Sequence, residues 1–339
     1  PRWQRPQGVR HMTTANTLPE SCYASLVHCL YTVSEQCPDT LPASDALHRL
    51  RNLVLVLLSQ LTAAPSVTTS EMTLTEALTL VTTSRELLTV LTGQGTGGPV
   101  NSEMNQALSE TLDALTAGMG AALRQAQADK VRGLYVIIDP QVTGGRDPME
   151  IASAAVNGGA KMLQLRDKLR DKGEILTLAT PLQQLCQEHG VMLIMNDHVD
   201  LGATVGSAGV HVGQTDMPVD QVRKVLAPHQ VLGRSNREFD QLIESQEMGV
   251  DHVAFGAIYR TTTKGVGRPP QGIEPLRKAR ELAKVPLVAI GGINIDNVTP
   301  VVEAGADAIC VTAAVASAEN PEAAAAAMVE AIRSAGGKV

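Results

Sequence analysis

Aromatic residues are almost missing: Phe, Trp and Tyr together make up 2% of 339 residues. Proteins that hold single-stranded nucleic acid stack bases on aromatic rings, so that class of function is disfavoured. Basic charge is also in deficit. The formal net charge is −7, so the surface as a whole does not attract nucleic acid, and any anion must be held by a local cluster. No apolar run approaches the ~20 residues needed to cross a bilayer; the longest, 53–58, is far shorter. No signal-peptide pattern is present, so no membrane partner is expected. The five cysteines, Cys22, Cys29, Cys37, Cys186 and Cys310, are odd in number and contain no CxxC pair. That usage fits a reduced, cytoplasmic protein rather than a disulfide scaffold. Cys22, Cys29 and Cys37 recur about two helical turns apart with His28 among them. Lacking a four-ligand spacing, they read as packed thiols rather than a metal site.

What remains is ordinary globular material, 44% hydrophobic and 19% charged, with enough length for two domains. The segment 1–12 is basic and irregular and is set aside from the fold as a tag or disordered segment. Residues 13–131 read as a helical bundle. Leu47, Leu50, Val54, Leu57 and Leu61 recur at steps of three and four, making one apolar stripe. Leu74, Leu78, Val81, Leu88 and Leu91 make a second, Met104, Leu108, Leu112, Leu115 and Met119 a third, and 19–36 adds a further helix. Ser70 and Ser102 look like helix starts. Breaks at 37–44, 63–70 and 93–99 are rich in Pro or Gly, which suggests four helices in an up-down arrangement. No catalytic constellation lies in them; His28 and His48 read as packed or solvated residues. The last helix is expected to run to about Lys130 and to lead into a strand with no flexible linker, which predicts a fixed arrangement of the two domains.

From 132 to 339 the pattern changes to strands alternating with amphipathic helices. Strands are expected at 134–139, 161–166, 192–196, 209–212, 230–233, 252–256, 286–290 and 308–311. Helices are expected near 148–157, 173–189, 199–205, 218–227, 237–248, 273–283, 295–304 and 321–334. Alternation implies a parallel sheet, and eight units imply closure into a (β/α)8 TIM barrel. Gly159, Gly249 and Gly305 each stand just past a helix and ahead of the next strand, as helix-terminating glycines do. An open doubly wound sheet would need a glycine-rich loop after the first strand, and 139–147 does not match one.

The active site of such a barrel lies at the C-terminal strand ends, and polar residues accumulate there. In the second unit Gln164, Arg166 and Lys168 stand at i, i+2 and i+4, on one side of an extended chain. Asn196 and Asp197 end the third, Asp216 follows the fourth, Ser235 follows the fifth, and Thr261, Thr262, Thr263 and Lys264 follow the sixth. Gly292 follows the seventh, and Thr312 and Ala313 follow the eighth. Asp197 and Asp216 offer hard carboxylate oxygens from adjacent units; with phosphate oxygens and water they suit Mg2+, which takes few protein ligands. Either alone is more often a helix cap. Arg166, Lys168 and Lys264 can neutralise a diphosphate. Gly292 and the backbone at Thr312–Ala313 occupy the usual barrel position for a phosphate held by main-chain N–H groups, although tight turns also need glycine there. Two anion sites on one rim suggest two phosphorylated substrates.

Gln164 to Lys168, Asn196–Asp197, Gly213 to Asp216, Gly233 to Ser235, Thr261 to Lys264 and Gly291 to Ile293 occur in an order and spacing that resemble the thiamine-phosphate synthase family. The resemblance covers about 133–334 and leaves out the N-terminal helices. It implies a transferase that joins 4-amino-5-hydroxymethyl-2-methylpyrimidine diphosphate to 4-methyl-5-(2-hydroxyethyl)thiazole phosphate, or its carboxylated form, releasing pyrophosphate by a Mg2+-assisted dissociative substitution. It implies that Gln164, Arg166, Lys168, Asn196, Ser235 and Lys264 hold the pyrimidine diphosphate, with Arg166, Lys168, Ser235 and Lys264 stabilising the departing pyrophosphate. Asp197 and Asp216 would bind Mg2+, and Thr261, Thr262, Thr263, Gly292 and the Thr312–Ala313 backbone would hold the thiazole phosphate. Two departures stand out: Asn236-Arg237 where the family often has Thr-His, and Thr312-Ala313 where it often has Val-Ser or Ile-Ser.

Three other readings share parts of this pattern. A phosphosugar isomerase or epimerase barrel would need an acid/base pair on the rim, for which His198 and His211 are nominal candidates. A thiazole tautomerase would carry a catalytic His in place of key binding residues. A non-enzymatic binding module would bind without turnover. Oligomeric state, a homo-oligomer included, is left open.

Overall fold

A computed structural model of the chain describes residues 18–38, 43–59, 72–93, 100–261 and 269–339. The chain divides into two compact units, Pro1–Gly120 and Ala121–Val339, the division falling inside a helix. The first unit is a packed bundle of α1 (Leu18–Gln36), α2 (Ser44–Leu58), α3 (Leu74–Gly93) and the early turns of α4 (Ser102–Ala128). The expected stripes supply what it buries, Leu47, Leu50, Val54 and Leu57 on α2, Leu78, Val81, Leu88 and Leu91 on α3, and Leu108, Leu112, Leu115 and Met119 on α4, while Leu74 and Met104 are only half-buried. Leu61 and Ser70 lie outside the described residues. α3 is capped instead by Thr73, whose Oγ1 accepts from the Glu76 N–H at 3.3 Å while the Glu76 carboxylate accepts from the Thr73 N–H at 2.8 Å, a reciprocal capping box. α4 does start at Ser102, but Asn101 is its cap, accepting from the Met104 N–H at 2.8 Å. Arg51 donates to the Ser34 and Cys37 carbonyls at 2.8 and 3.3 Å and so satisfies the end of α1. His48 bonds its own helix backbone, the cysteines are all free thiols, and among the described residues no group of three His, Cys, Asp or Glu could hold a metal.

In the second unit eight parallel strands pair in sequence order and close on themselves. They are β1 (Gly133–Ile138), β2 (Met162–Leu165), β3 (Met192–Asn196), β4 (Gly209–Val212), β5 (Val231–Asn236), β6 (His252–Gly256), β7 (Leu287–Ile290) and β8 (Ala308–Val311). The helices between them are α5 (Pro148–Asn157), α6 (Lys172–His189), α7 (Val199–Thr204), α8 (Val219–Val225), α9 (Phe239–Glu247), α10 (Ile273–Leu282) and α11 (Val298–Glu303); α12 (Ala313–Ala316) and α13 (Pro321–Ser334) follow β8. Alternation along each strand makes two cores. Leu134, Val136, Ile138, Leu163 and Leu165 face the helices. Tyr135, Ile137, Met162, Ile194, Val288 and Cys310 fill the barrel interior, with Val131, just ahead of β1, buried in the same cluster.

Glycine is required where backbones crowd. A Cβ on Gly209 would stand 2.1 Å from the Val231 carbonyl oxygen, which is how β4 and β5 come together. Gly159, Gly249 and Gly305 have φ of 95°, 81° and 94°, the left-handed conformation expected of them after α5, α9 and α11. Several element ends shift by a residue or more from the sequence reading, and two of them bear on the site. β2 stops at Leu165, so Arg166 and Lys168 belong to the loop. β5 runs on to Asn236, which brings Ser235 into the strand. α12, a single turn too short to show a periodic stripe, was not expected.

Candidate active site

A cavity opens at the C-terminal end of the barrel interior, and Gln164, Arg166, Asn196, His211 and Ser235 contribute to its polar lining. Each arrives by strand alternation: Gln164 is the inward residue of β2 after Met162, Asn196 that of β3 after Ile194, and Ser235 that of β5 after Gly233. Ile137, Val288 and Ile290 add an apolar wall. Gln164 is fixed by Tyr135, with its amide nitrogen 2.6 Å from the phenol oxygen. Burial raises the Tyr135 phenol well above its ordinary pKa, so it stays neutral. The Asn196 amide nitrogen is buried and meets no hydrogen-bond partner among the described residues. A buried donor left unmatched is costly, and at a cavity wall it marks a place for a ligand acceptor.

Arg166 pairs with Asp139, which directly follows β1 and has no exposure. The carboxylate is itself oriented by the Gln141 N–H at 3.0 Å. Lys168 pairs with Asp197, so the two cations of this loop reach toward neighbouring strand ends on both sides. Asp197 has φ +60°, rare for a residue with a side chain; its N–H is held by the His211 carbonyl at 2.9 Å. Asp216, in the loop after β4, accepts from the Gly213 N–H at 2.6 Å. Between them Gln214 donates to the Ser235 carbonyl at 2.7 Å and ties that loop to β5. Asp197 and Asp216 thus belong to adjacent strand ends, and both present only oxygen. Such a donor set fits a hard divalent cation, and the Lys168 ammonium stands against Asp197 where one would sit.

Gly291 and Gly292 have φ of 105° and 67°. A Cβ on Gly291 would lie 2.4 Å from the Ala257 Cβ, and one on Gly292 2.4 Å from the Arg260 carbonyl oxygen. Close approach of the loop after β6 therefore requires glycine here. Thr312 caps α12 and Ala313 opens it, the short extra helix after the eighth strand that barrels use at phosphate sites. Arg146 locks the far end of that helix by donating to the Ala316 and Ala318 carbonyls at 2.6 and 2.9 Å. Thr261 is part-buried at the end of the described segment; Thr262, Thr263 and Lys264 lie outside the described residues.

The sequence reading missed Tyr135, Asp139 and the role of Gln214. Their partners stand one strand away, 27 to 29 residues distant for Asp139 and Tyr135, with no local spacing to link them. The first departure from the family pattern, Asn236-Arg237, is accounted for locally. Asn236 is buried between β5 and α9, accepting from the Ser245 hydroxyl at 2.6 Å and donating to the Arg234 carbonyl at 2.9 Å. Arg237 donates to the Pro269 carbonyl at 2.7 Å. His198 begins α7 with its ring 3.4 Å from the Asp167 carbonyl, and His211 points into the barrel, 2.8 Å from Ser235 Oγ.

Comparison with known proteins agrees with this geometry. A family model described as thiamine monophosphate synthase matches residues 134–315. The chain is 38% identical over 202 residues to the thiamine-phosphate synthase of Shouchella clausii, covering 60% of this chain and 97% of that protein. It is 40% identical over 188 residues to the enzyme of the same name from Albidiferax ferrireducens, covering 56% and 86%. Among solved structures, thiamine phosphate pyrophosphorylase from Pyrococcus furiosus superposes with a TM-score of 0.57 at 31% identity, covering 61% of this chain and 98% of that one. Helices α1 to α4 lie outside the residues that the family model matches. The chain, through its eight-stranded barrel, belongs to the thiamine monophosphate synthase family.

Proposed function

We propose that the barrel unit is a thiamine-phosphate synthase, a transferase that joins 4-amino-5-hydroxymethyl-2-methylpyrimidine diphosphate to 4-methyl-5-(2-hydroxyethyl)thiazole phosphate, or its carboxylated form, and releases pyrophosphate. The observation that carries this reading is the cavity lined by Gln164, Arg166, Asn196 and Ser235, beside the Lys168–Asp197 pair, in a chain of this family. Arg166 and Lys168 hold the diphosphate by charge-assisted hydrogen bonds. The unmatched Asn196 amide donates to it as well. Gln164, its amide fixed by Tyr135, orients the pyrimidine. Asp197 and Asp216 hold Mg2+, which when bound neutralises the diphosphate and eases departure of the pyrophosphate. Lys264 adds a further cation, and Thr261, Thr262, Thr263, Gly292 and the Thr312–Ala313 backbone hold the thiazole phosphate.

The bond that breaks joins the pyrimidine methylene carbon to the diphosphate oxygen, and the bond that forms joins that carbon to the thiazole nitrogen. The ring amino group releases electrons toward the carbon as the oxygen leaves. The apolar wall of Ile137, Val288 and Ile290 keeps water from intercepting it. Arg166, Lys168 and Ser235 stabilise charge on the leaving group, so no protein nucleophile is needed. The test is to mix the purified protein with both precursors and Mg2+ and to follow thiamine phosphate and pyrophosphate together. Equal formation of the two is expected; absence of both from a folded protein would overturn the reading.

A further inference from the structure

His211 of the cavity lining and the buried His252 meet across a glycine. β5 pairs with β4 on one side and β6 on the other, and the registers set Gly233 opposite both His211 and His252. A Cβ on residue 233 would stand 2.0 Å from His252 Nε2 and 2.6 Å from His211 Nδ1. Both nitrogens therefore face the same small space above the Gly233 Cα. The ring centroids are 5.6 Å apart, tilted by 33°. On its other edge His211 presents Nε2 to Ser235 Oγ at 2.8 Å. His252 has no exposure, and neither of its nitrogens meets a hydrogen-bond partner among the described residues. Burial lowers its pKa to about 4, so at neutral pH it carries a single N–H. An unmatched buried imidazole is destabilising and calls for an explanation beyond packing.

Proton counting supplies one. A serine hydroxyl has a single proton to give. If His211 Nε2 accepts it, Ser235 turns only lone pairs toward an anion in the cavity. If His211 Nε2 donates instead, the serine proton is free to meet the anion. That form leaves His211 Nδ1 without a proton, facing the space it shares with His252 Nε2. Two lone pairs there repel, as do two protons, so a proton on His252 Nε2 favours the donating form of His211.

We propose that His211 is a positioning residue that aims the Ser235 hydroxyl at the diphosphate, and that His252 selects the His211 tautomer that does so. The proposal rests on the reading of Ser235 as a diphosphate contact. In the full chain with Mg2+ and inorganic pyrophosphate, 15N-histidine spectra are expected to show His211 protonated at Nε2, and His252→Phe to shift that population toward Nδ1. A wild-type His211 protonated at Nδ1 alone would overturn the proposal whatever the variants do. His211→Met is expected to lower kcat about 10- to 100-fold, the size of one lost hydrogen bond to a charged group, with KM for the thiazole phosphate unchanged. His211→Gln, which can place an amide nitrogen near the Nε2 position, restores most of it. In a Ser235→Ala background His211→Met adds no further loss; additive losses would again overturn the proposal. A Ser235→Ala variant with full kcat would instead overturn the reading of Ser235 itself.

Discussion

Asp197 adopts φ +60°, a left-handed backbone that costs an ordinary side chain about 1–2 kcal/mol. Asn tolerates that conformation nearly as well as any non-glycine residue, so Asp197→Asn separates charge from backbone. It is expected to lower turnover at least ~100-fold while the melting temperature moves little, because an exposed Lys pair such as that with Lys168 contributes under ~1 kcal/mol; calorimetry beside a pyrophosphate-release assay checks both. His252 gives a pH dependence of stability. Its folded pKa is lowered from 6.5 to about 4, so below pH 6.5 the unfolded chain takes up a proton that the folded chain refuses. Stability is complete above 6.5 and falls as pH drops toward 4, by roughly 3 kcal/mol in all. Denaturation across that window should show the slope in the wild type and a shallower one in His252→Gln. Gln164, Arg166, Asn196 and Ser235 were legible in the sequence because each closes a short motif at a strand end. Tyr135 and Asp139, which hold two of them, were not, since the contact crosses from β1 to β2 and its loop.

Among the elements, β4 and β5 show how closely strands can be forced together. Gly209→Ala would press a methyl group to 2.1 Å from the Val231 carbonyl oxygen. Overpacking of backbone leaves no rotamer escape, so a loss of at least ~1–3 kcal/mol is expected, seen as a lowered melting temperature. The last turns of α4 belong with the barrel. Arg124 pairs with Asp251 at 3.4 Å, Asp251 also receives Arg223 at 2.6 Å, and Val131 is 1% exposed in the interior cluster. A fragment starting at residue 133 removes Val131 and Arg124 together. It is expected to be less stable than one starting at 121 by about 2–4 kcal/mol, from lost apolar burial and a half-buried ion pair; chemical denaturation of the two fragments measures it. The strands and helices were foreseeable from alternating apolar patterns. The exceptions were the short α12 and ends set by neighbours: β5 continues to Asn236 because β6 pairs with it through Phe255.

For the molecule as a whole, the barrel carries the chemistry, and among the described residues no helix is long and apolar enough to cross a membrane. If Asp197 and Asp216 hold the metal on the rim rather than in the core, chelation should abolish pyrophosphate release yet leave the melting curve unchanged, and added Mg2+ should restore turnover. A metal essential to the fold would show itself as a parallel loss of structure. By itself the sequence determined the eight-unit alternation, the apolar stripes of the helices, the glycines that end α5, α9 and α11, and the residue types of the rim. All of these are local, because periodicity and turn chemistry act within a few residues. Only the tertiary structure decided which rim residues face one another: that Asp139 meets Arg166, Lys168 meets Asp197, and His211 meets both Ser235 and His252. Those partners are set by the register of a closed sheet, which brings together side chains from separate units, and no local pattern encodes that register.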